Sequence, residues 1–577
     1  MHLKDRREPP RSSYKYKFPF EDGRRVEAPT GGLLDNVRAV YQNISEAILH
    51  RWGREYEHTL FSNGMVFSDE GKVVQDKMLN AVVQQGGFVA AFTGTSVTAG
   101  HDNLYEQSYP VVLNGTLSKL FAAAGVRFEA INVAMGNNPP VPYSYCVDAH
   151  AGIDADIVSW EMGMEVGGRD CEAGAAVVEV FVRSAMTLPR RPAVLILEAT
   201  PNNDHCGPKL TRVVRQNRIF IGDCHNNEHS LMSTYSQFGL HAMFLRRLAS
   251  QFTCEDDRFG KDNLFRSGKV TPRPMLWHPG AHGHELVADI LFMHYAQSFL
   301  VALERLEHAA PGTTAQHLRH DTEAGKEELL VSAGVPNPHD VSGNGDEYMG
   351  AGRGAVLPSP HSCDSWRFGR GAGNYRCSTT YAPVAARDGS RLLDMVSDRT
   401  PVVQLDENEV HGVLTPGHWS VTLNEVSSPI IDYLSTPAPN GVHKPIDRKW
   451  VLIGNRESGP IEFDFQTEGL LGAGERGTTN LLDGRSIREG EAIDDSRVVV
   501  CKRDLIEMVE LRDTEGVRFK IDGEETSVVE MPDHQYAGKS DCVMLAAQIG
   551  VGKHTLSLEP LRMEGPPVAI SHVIYPA

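Results

Sequence analysis

Apolar and polar positions change their spacing several times along this chain. Between residues 31 and 85, Val37, Val40, Tyr41, Ile44 and Ile48 recur at helical spacing and predict an amphipathic helix. From about 86 to 305 the pattern becomes short apolar runs alternating with helical stretches. Residues 88–92, 127–133, 157–160 and 193–198 read as strands. The stretches near 97–124, 172–187, 229–250 and 282–306 read as helices. Strands that alternate with helices imply crossover connections and a mostly parallel sheet covered on both faces. Residues 307–399 are poor in periodicity and rich in Gly and Pro, most clearly at 343–360, and read as an irregular linker. Beyond 400 the period is two. Ile461, Phe463 and Phe465 alternate with Glu462, Asp464 and Gln466, and Val517, Phe519 and Ile521 precede the turn signal Asp522-Gly523. Leu556, Leu558 and the run 568–575 continue it. Many short strands argue a β-sandwich or jelly roll.

The division expected is therefore a tail at 1–30, a helical extension at 31–85, an α/β domain at 86–306, the linker at 307–399 and a β-sandwich at 400–577. At roughly 150 residues per domain, 577 residues would allow three or four domains. The patterning reduces that to two.

Charge removes two classes of partner. Lys plus Arg number 56 against 75 Asp plus Glu, a net charge of −19. So acidic a chain is a poor phosphate-binding surface, which argues against nucleic acid and against an anionic membrane surface. No uninterrupted apolar run reaches the roughly 18 residues of a bilayer crossing, so no membrane span is expected. The first 25 residues are polar and basic and do not read as a secretory leader.

Nine cysteines are too few for a disulfide scaffold, and no C-x-x-C pair occurs. Cys206/Cys224, Cys363/Cys377 and Cys501/Cys542 have spacings that suit bridges, although spacing does not give connectivity. With the sequons at Asn43 and Asn114, these cysteines lean the reading toward a secretory setting.

The candidate chemistry begins after the first strand, at Thr93-Gly94-Thr95-Ser96-Val97-Thr98-Ala99-Gly100. Ligands of open α/β sheets bind at the carboxyl ends of strands. A Ser there meets the N–H groups of the following helix, which favour a developing oxyanion. The competing reading makes Ser96 only a helix cap. Near the end of the α/β region stands Trp277-His278-Pro279-Gly280-Ala281-His282-Gly283-His284. His278, in a loop before the last helix, is suited to take the proton from Ser96.

These blocks resemble those of the SGNH, or GDSL-type, hydrolases. The Ser96 block is similar to their Gly-Asp-Ser block, and Asn132-Val133-Ala134-Met135-Gly136 to their second block, whose Gly lends an oxyanion-hole N–H. Trp160-Glu161-Met162-Gly163-Met164-Glu165 occupies the place of the third, and Trp277-His278-Pro279 that of the last. The resemblance covers about two fifths of the chain. It implies a flavodoxin-like three-layer fold and Ser-based ester hydrolysis or acyl transfer, plausibly on an acylated carbohydrate. Ser96 would be nucleophile, His278 base, and the N–H groups of Ser96 and Gly136 the oxyanion hole. Two positions depart from the family. Glu165 is the nearest match to the third-block Asn, and Met275 stands where an Asp would orient the His. Either a Ser96–His278 dyad works with replacements, or a degenerate fold serves as a binding or structural protein, with the β domain offering a surface to a protein partner. A lipid esterase is a weaker third reading, because no long apolar lid segment is present.

No cofactor is expected. The spacing His278, His282, His284 permits zinc, but loop and helix-start roles account for those residues better. The Gly-rich stretch 343–354 lacks a P-loop Lys and Ser/Thr. Trp419 and Trp450 could stack on sugars, but core packing is the better expectation.

Overall fold

The computed structural model describes residues 32–57, 65–67, 72–84, 86–100, 105–136, 140–162, 171–198, 240–244, 279, 281–307, 375–380, 392–404, 417–423, 450–467, 479–480, 486–487, 497–503, 516–529, 540–546, 549, 552–562 and 568–576.

The α/β unit is a six-stranded sheet. Its strands are β1 (Met65–Phe67), β2 (Gly87–Phe92), β3 (Arg127–Asn132), β4 (Ile157–Trp160), β5 (Ala193–Glu198) and β6 (His241–Phe244). The spatial order is β1-β6-β5-β4-β2-β3, with β1 antiparallel and the other pairings parallel. Counted along the chain, the five parallel strands run second, first, third, fourth, fifth, which is the flavodoxin-like order.

Burial on both faces explains the continuous apolar text of β2. Phe88, Ala90 and Phe92 face one core, with α1 (Leu33–Trp52), α2 (Lys72–Val83), a helix at Tyr109–Ala122 and a long helix at Ala281–Glu307. Ala91 faces the other core, with Trp160, Ile196, Tyr143, Val147 and Phe181. The result is three layers. In chain order the remaining helices of this unit are α3 (Ser96–Ala99), α4 (Tyr109–Ala122), α5 (Pro140–Tyr145), α6 (Val147–Ala151), α7 (Cys171–Thr187) and α8 (Ala281–Glu307).

Several expectations change. The described residues of 31–85 are no separate extension: Leu34, Val37, Ile48 and Trp52 share one core with α8, and Trp52 Nε1 donates to Asp289 Oδ2 at 2.8 Å. Helical spacing revealed α1 but not its partner. Within 229–250, read as helix, the described segment His241–Phe244 is a strand. Within 97–124 the described residues form α3, a 3-10 turn at Tyr105–Gln107 and α4 rather than one helix, and Gly100 adopts a left-handed conformation that closes α3. Helix α8 is long and apolar enough to cross a bilayer by length and composition, with 78% of its most apolar window buried inside the protein. Its scattered polar residues hid this from a search for unbroken apolar runs.

At the edge that the sheet has among the described residues, β3 alternates Arg127 and Glu129 with Phe128. There the Ala130 N–H donates to Asn114 Oδ1, on α4, at 2.9 Å.

The C-terminal unit is mostly β among the described residues, with one short helix at Leu392–Met395 and a 3-10 turn at Arg456–Ser458. Two four-stranded sheets and one five-stranded sheet enclose a core that includes Trp419, Leu452, Phe463, Val500, Phe519 and Leu556. Ile461–Thr467 pairs antiparallel with Gly552–Pro560 over its full length and alternates buried with open residues, as the period of two predicts. Trp419 is fully buried, and its Nε1 donates to the Gly459 carbonyl at 3.0 Å, so it is a core residue and not a sugar platform. The side chain of Trp450 lies outside the described residues. Tyr375–Thr379, inside the stretch read as linker, is a strand of the five-stranded sheet, paired with His572–Pro576.

Two disulfides are present among the described residues. Cys501–Cys542 joins directly opposed residues of neighbouring strands, the pairing that spacing suggested. Cys377 pairs with Cys146 rather than Cys363, over a separation of 231 residues, and thereby ties the α/β unit to the β unit. Cys206 and Cys224 lie outside the described residues.

Candidate active site

The site is built where β2 ends beside β4. Thr93 Oγ1 donates to the Ser159 carbonyl, and Ser159 Oγ returns a bond to the Thr93 carbonyl at 3.1 Å, which ties the two strand ends together. The chain then turns through Gly94. A Cβ there would stand less than 3.0 Å from atoms of Thr98 and Glu161, so only glycine permits this approach.

Thr95, not Ser96, caps α3: its Oγ1 accepts from the Val97 N–H at 3.2 Å. The cap reading of Ser96 is therefore set aside. Ser96 is the first helical residue and is 8% exposed, at the limit of contact with solvent.

One carboxylate holds this turn. Glu161 follows β4 directly and is buried. Its Oε2 accepts from Thr95 N (3.0 Å), Thr95 Oγ1 (2.8 Å), Thr98 N (3.3 Å) and Thr98 Oγ1 (3.0 Å). The two N–H groups belong to the cap residue and to the third helical residue. Those groups are the ones a capping box joins, here by a side chain from another strand. Burial pushes the Glu161 carboxyl up to about 7, while the four hydrogen bonds favour the charged form. Thr98 Oγ1 also lies 2.8 Å from Tyr109 Oη. Burial first, and the nearby Glu161 charge second, hold that phenol well above its usual range.

The second loop is braced against the first. The Gly94 carbonyl accepts from Met135 N–H at 3.3 Å, and the Phe92 carbonyl from Val133 N–H at 3.0 Å. Asn132 Nδ2 donates to the Thr98 carbonyl at 2.9 Å, and its Oδ1 accepts from Ala134 N–H at 3.2 Å. Gly136 is buried at the end of this loop. The fold thus joins the Ser96 block, the Asn132–Gly136 block and the start of the third block. His278, Glu165 and Met275 lie outside the described residues.

Glu161, Thr98 and Asn132 are the residues that sequence reasoning passed over. Position could have found Glu161, since it stands at the carboxyl end of a strand next to β2. His284 has a local role: its Nδ1 accepts from the Tyr109 N–H at 3.3 Å, and the two rings stack 6.0 Å apart. His282 instead meets Glu285 at 2.9 Å. These two imidazoles have different partners.

No family model matches the chain, and no curated protein matches it. Solved structures do. A two-domain esterase (CEX) active on acetylated mannans is 13% identical with TM-score 0.39, over 90% of this chain and 99% of its own. A putative GDSL-like lipase from Parabacteroides merdae is 14% identical with TM-score 0.27, over 37% of this chain and 96% of its own. A family 3 carbohydrate esterase from Clostridium thermocellum is 13% identical with TM-score 0.25, over 38% and 98%. The fold itself is flavodoxin-like in strand order, and the Ser96 turn stands at the carboxyl end of β2.

Proposed function

We propose that the chain is a serine esterase or acyltransferase of SGNH type, acting on small acyl esters carried by a polar acceptor such as a glycan. Ser96 is the nucleophile. Its proton passes to His278, and the N–H groups of Ser96 and Gly136 receive the oxyanion. The observation that supports this reading is the Ser96 turn itself. Ser96 sits at the carboxyl end of β2, a strand flanked on both sides, with its helix start fixed by Glu161 and with the cap duty taken by Thr95. A preorganised turn of this kind stabilises developing charge without reorganisation. The two disulfides favour an oxidising compartment such as the secretory route.

The second reading is a binding protein that kept the fold and lost the site. Met275, in place of an orienting Asp, favours it, since loss of that group costs about 10⁴ in a triad.

A fluorophosphonate that phosphonylates activated serines separates the two. Labelling of the wild type, its loss in Ser96→Ala, and Ser96-dependent hydrolysis of p-nitrophenyl acetate are expected. Absence of both activities in the folded wild type would refute the esterase reading.

A further inference from the structure

Away from the Ser96 turn, four metal-binding side chains meet at the joint between the two units. On the α/β side, Cys146 caps α6 and His150 lies four residues on, so both project from one helical face. On the β side, Cys377 and Thr379 lie on the same face of their strand, and His572 is the register partner of Thr379. Cys377 and His572 are thus diagonal neighbours on the sheet face that meets α6. Ligand atoms of Cys146, His150 and His572 lie within 4.8 Å of one another. Cys377 is bonded to Cys146.

His150 is the observation that a disulfide alone leaves unexplained. It is fully buried, it stacks on Tyr143 at 4.3 Å, and neither ring nitrogen has a hydrogen-bond partner. A neutral imidazole carries one N–H donor and one acceptor, and burying either unpaired is unfavourable. Two such atoms beside a second buried imidazole and two sulfurs make a ligand shell rather than a packed core. The surroundings are apolar: Tyr145, Ala149, Val180, Val499 and Ile574 close around it. Among the described residues no carboxylate is part of the cluster, which selects a metal that accepts S and N donors over Ca²⁺ or Mg²⁺.

We propose that Cys146, His150, Cys377 and His572 form a Cys2His2 site for a zinc-class ion when the Cys146–Cys377 bond is reduced. A dithiol opens the bond: it is oxidised to its cyclic disulfide, and its two hydrogens pass to the two sulfurs. One Zn²⁺ then displaces both thiol protons to solvent and takes two thiolates and two neutral imidazoles. In a tetrahedral site, neighbouring ligand atoms stand about 3.3–3.8 Å apart. The cluster needs a contraction of about 1 Å among three ligands and a separation of the two sulfurs. The joint between the units therefore has two closed forms, a disulfide when oxidised and a metal clip when reduced.

The test uses the full chain, reduced anaerobically without denaturant and freed of reductant. Co²⁺ titration is expected to give the intense ligand-field bands of a tetrahedral S2N2 set with one equivalent bound, and Zn²⁺ to displace it. His150→Gln is expected to bind at least about tenfold more weakly. In the wild type, Zn²⁺ is expected to protect Cys146 and Cys377 from iodoacetamide, as mapped by peptide mass. Several outcomes overturn the proposal: no tetrahedral spectrum, protection at Cys501 and Cys542 instead, unchanged affinity in His150→Gln, or a bond that opens only on unfolding. None of these readouts depends on the Ser96 chemistry.

Discussion

Glu161 sets a signed prediction about pH. Replacing it with Gln keeps an amide oxygen for the Thr95 and Thr98 N–H groups and removes the titration. In the wild type, burial raises this carboxyl from 4.5 to about 7 in the folded state. The folded protein therefore binds more protons than the unfolded chain between those values, and stability falls as pH rises. The stabilising share is fully present below about 4.5 and is lost as pH passes about 7. At 1.36 kcal/mol per unit, the swing is about 3 kcal/mol. Urea unfolding of wild type and Glu161→Gln, followed by tryptophan fluorescence at a series of pH values from 4 to 9, reads it as a difference. The variant should gain on the wild type by roughly 3 kcal/mol over that series. A flat difference would refute the reasoning. A swing of opposite sign would mean that the four hydrogen bonds outweigh burial and hold the group ionised.

Three further outcomes follow from contacts already described. Gly94→Ala puts a methyl group into Thr98 and Glu161 and should cost about 1–3 kcal/mol, together with Ser96 labelling, by urea unfolding and fluorophosphonate capture. Trp52→Phe removes a buried donor from Asp289, whose carboxyl burial raises to about 6. The loss should be about 2 kcal/mol at pH 8, where the carboxylate is charged, and smaller at pH 5. Replacing Cys501 and Cys542 together with serine opens a loop of 41 residues and should lower stability by about 3–4 kcal/mol; a change below 1 kcal/mol in calorimetry would contradict it.

Much of the fold was legible because burial writes itself into local periods. The apolar run at 88–92 is buried on both faces and reads as a parallel strand, and Ile461, Phe463 and Phe465 alternate because one face of their sheet is open. Features decided by distant partners were not legible. Helix α1 showed its apolar face, but that its partner is α8, more than 200 residues on, is settled only in three dimensions. Cys377 had a plausible neighbour in Cys363, whereas the bond formed bridges to Cys146. The three residues of β1 are too few to show a period. At the site, the Ser96 block was readable from strand and turn chemistry. For Glu161 the one readable sign was its place at the end of a strand beside β2, since its role lies in what it accepts from Thr95 and Thr98.

The contact of Asn114 with β3 reaches beyond one molecule. An exposed edge of unpaired N–H and C=O groups is a template on which a strand of another copy can add. Asn114 covers the Ala130 N–H at the edge that the sheet has among the described residues, and Asn114 is also the first residue of the sequon Asn114-Gly115-Thr116. A carbohydrate attached there would draw that side chain toward solvent and replace a small hydrogen-bonded cover with a bulky hydrated one. With neither cover, as in Asn114→Ala, the same edge becomes the place where two copies would begin to share a sheet.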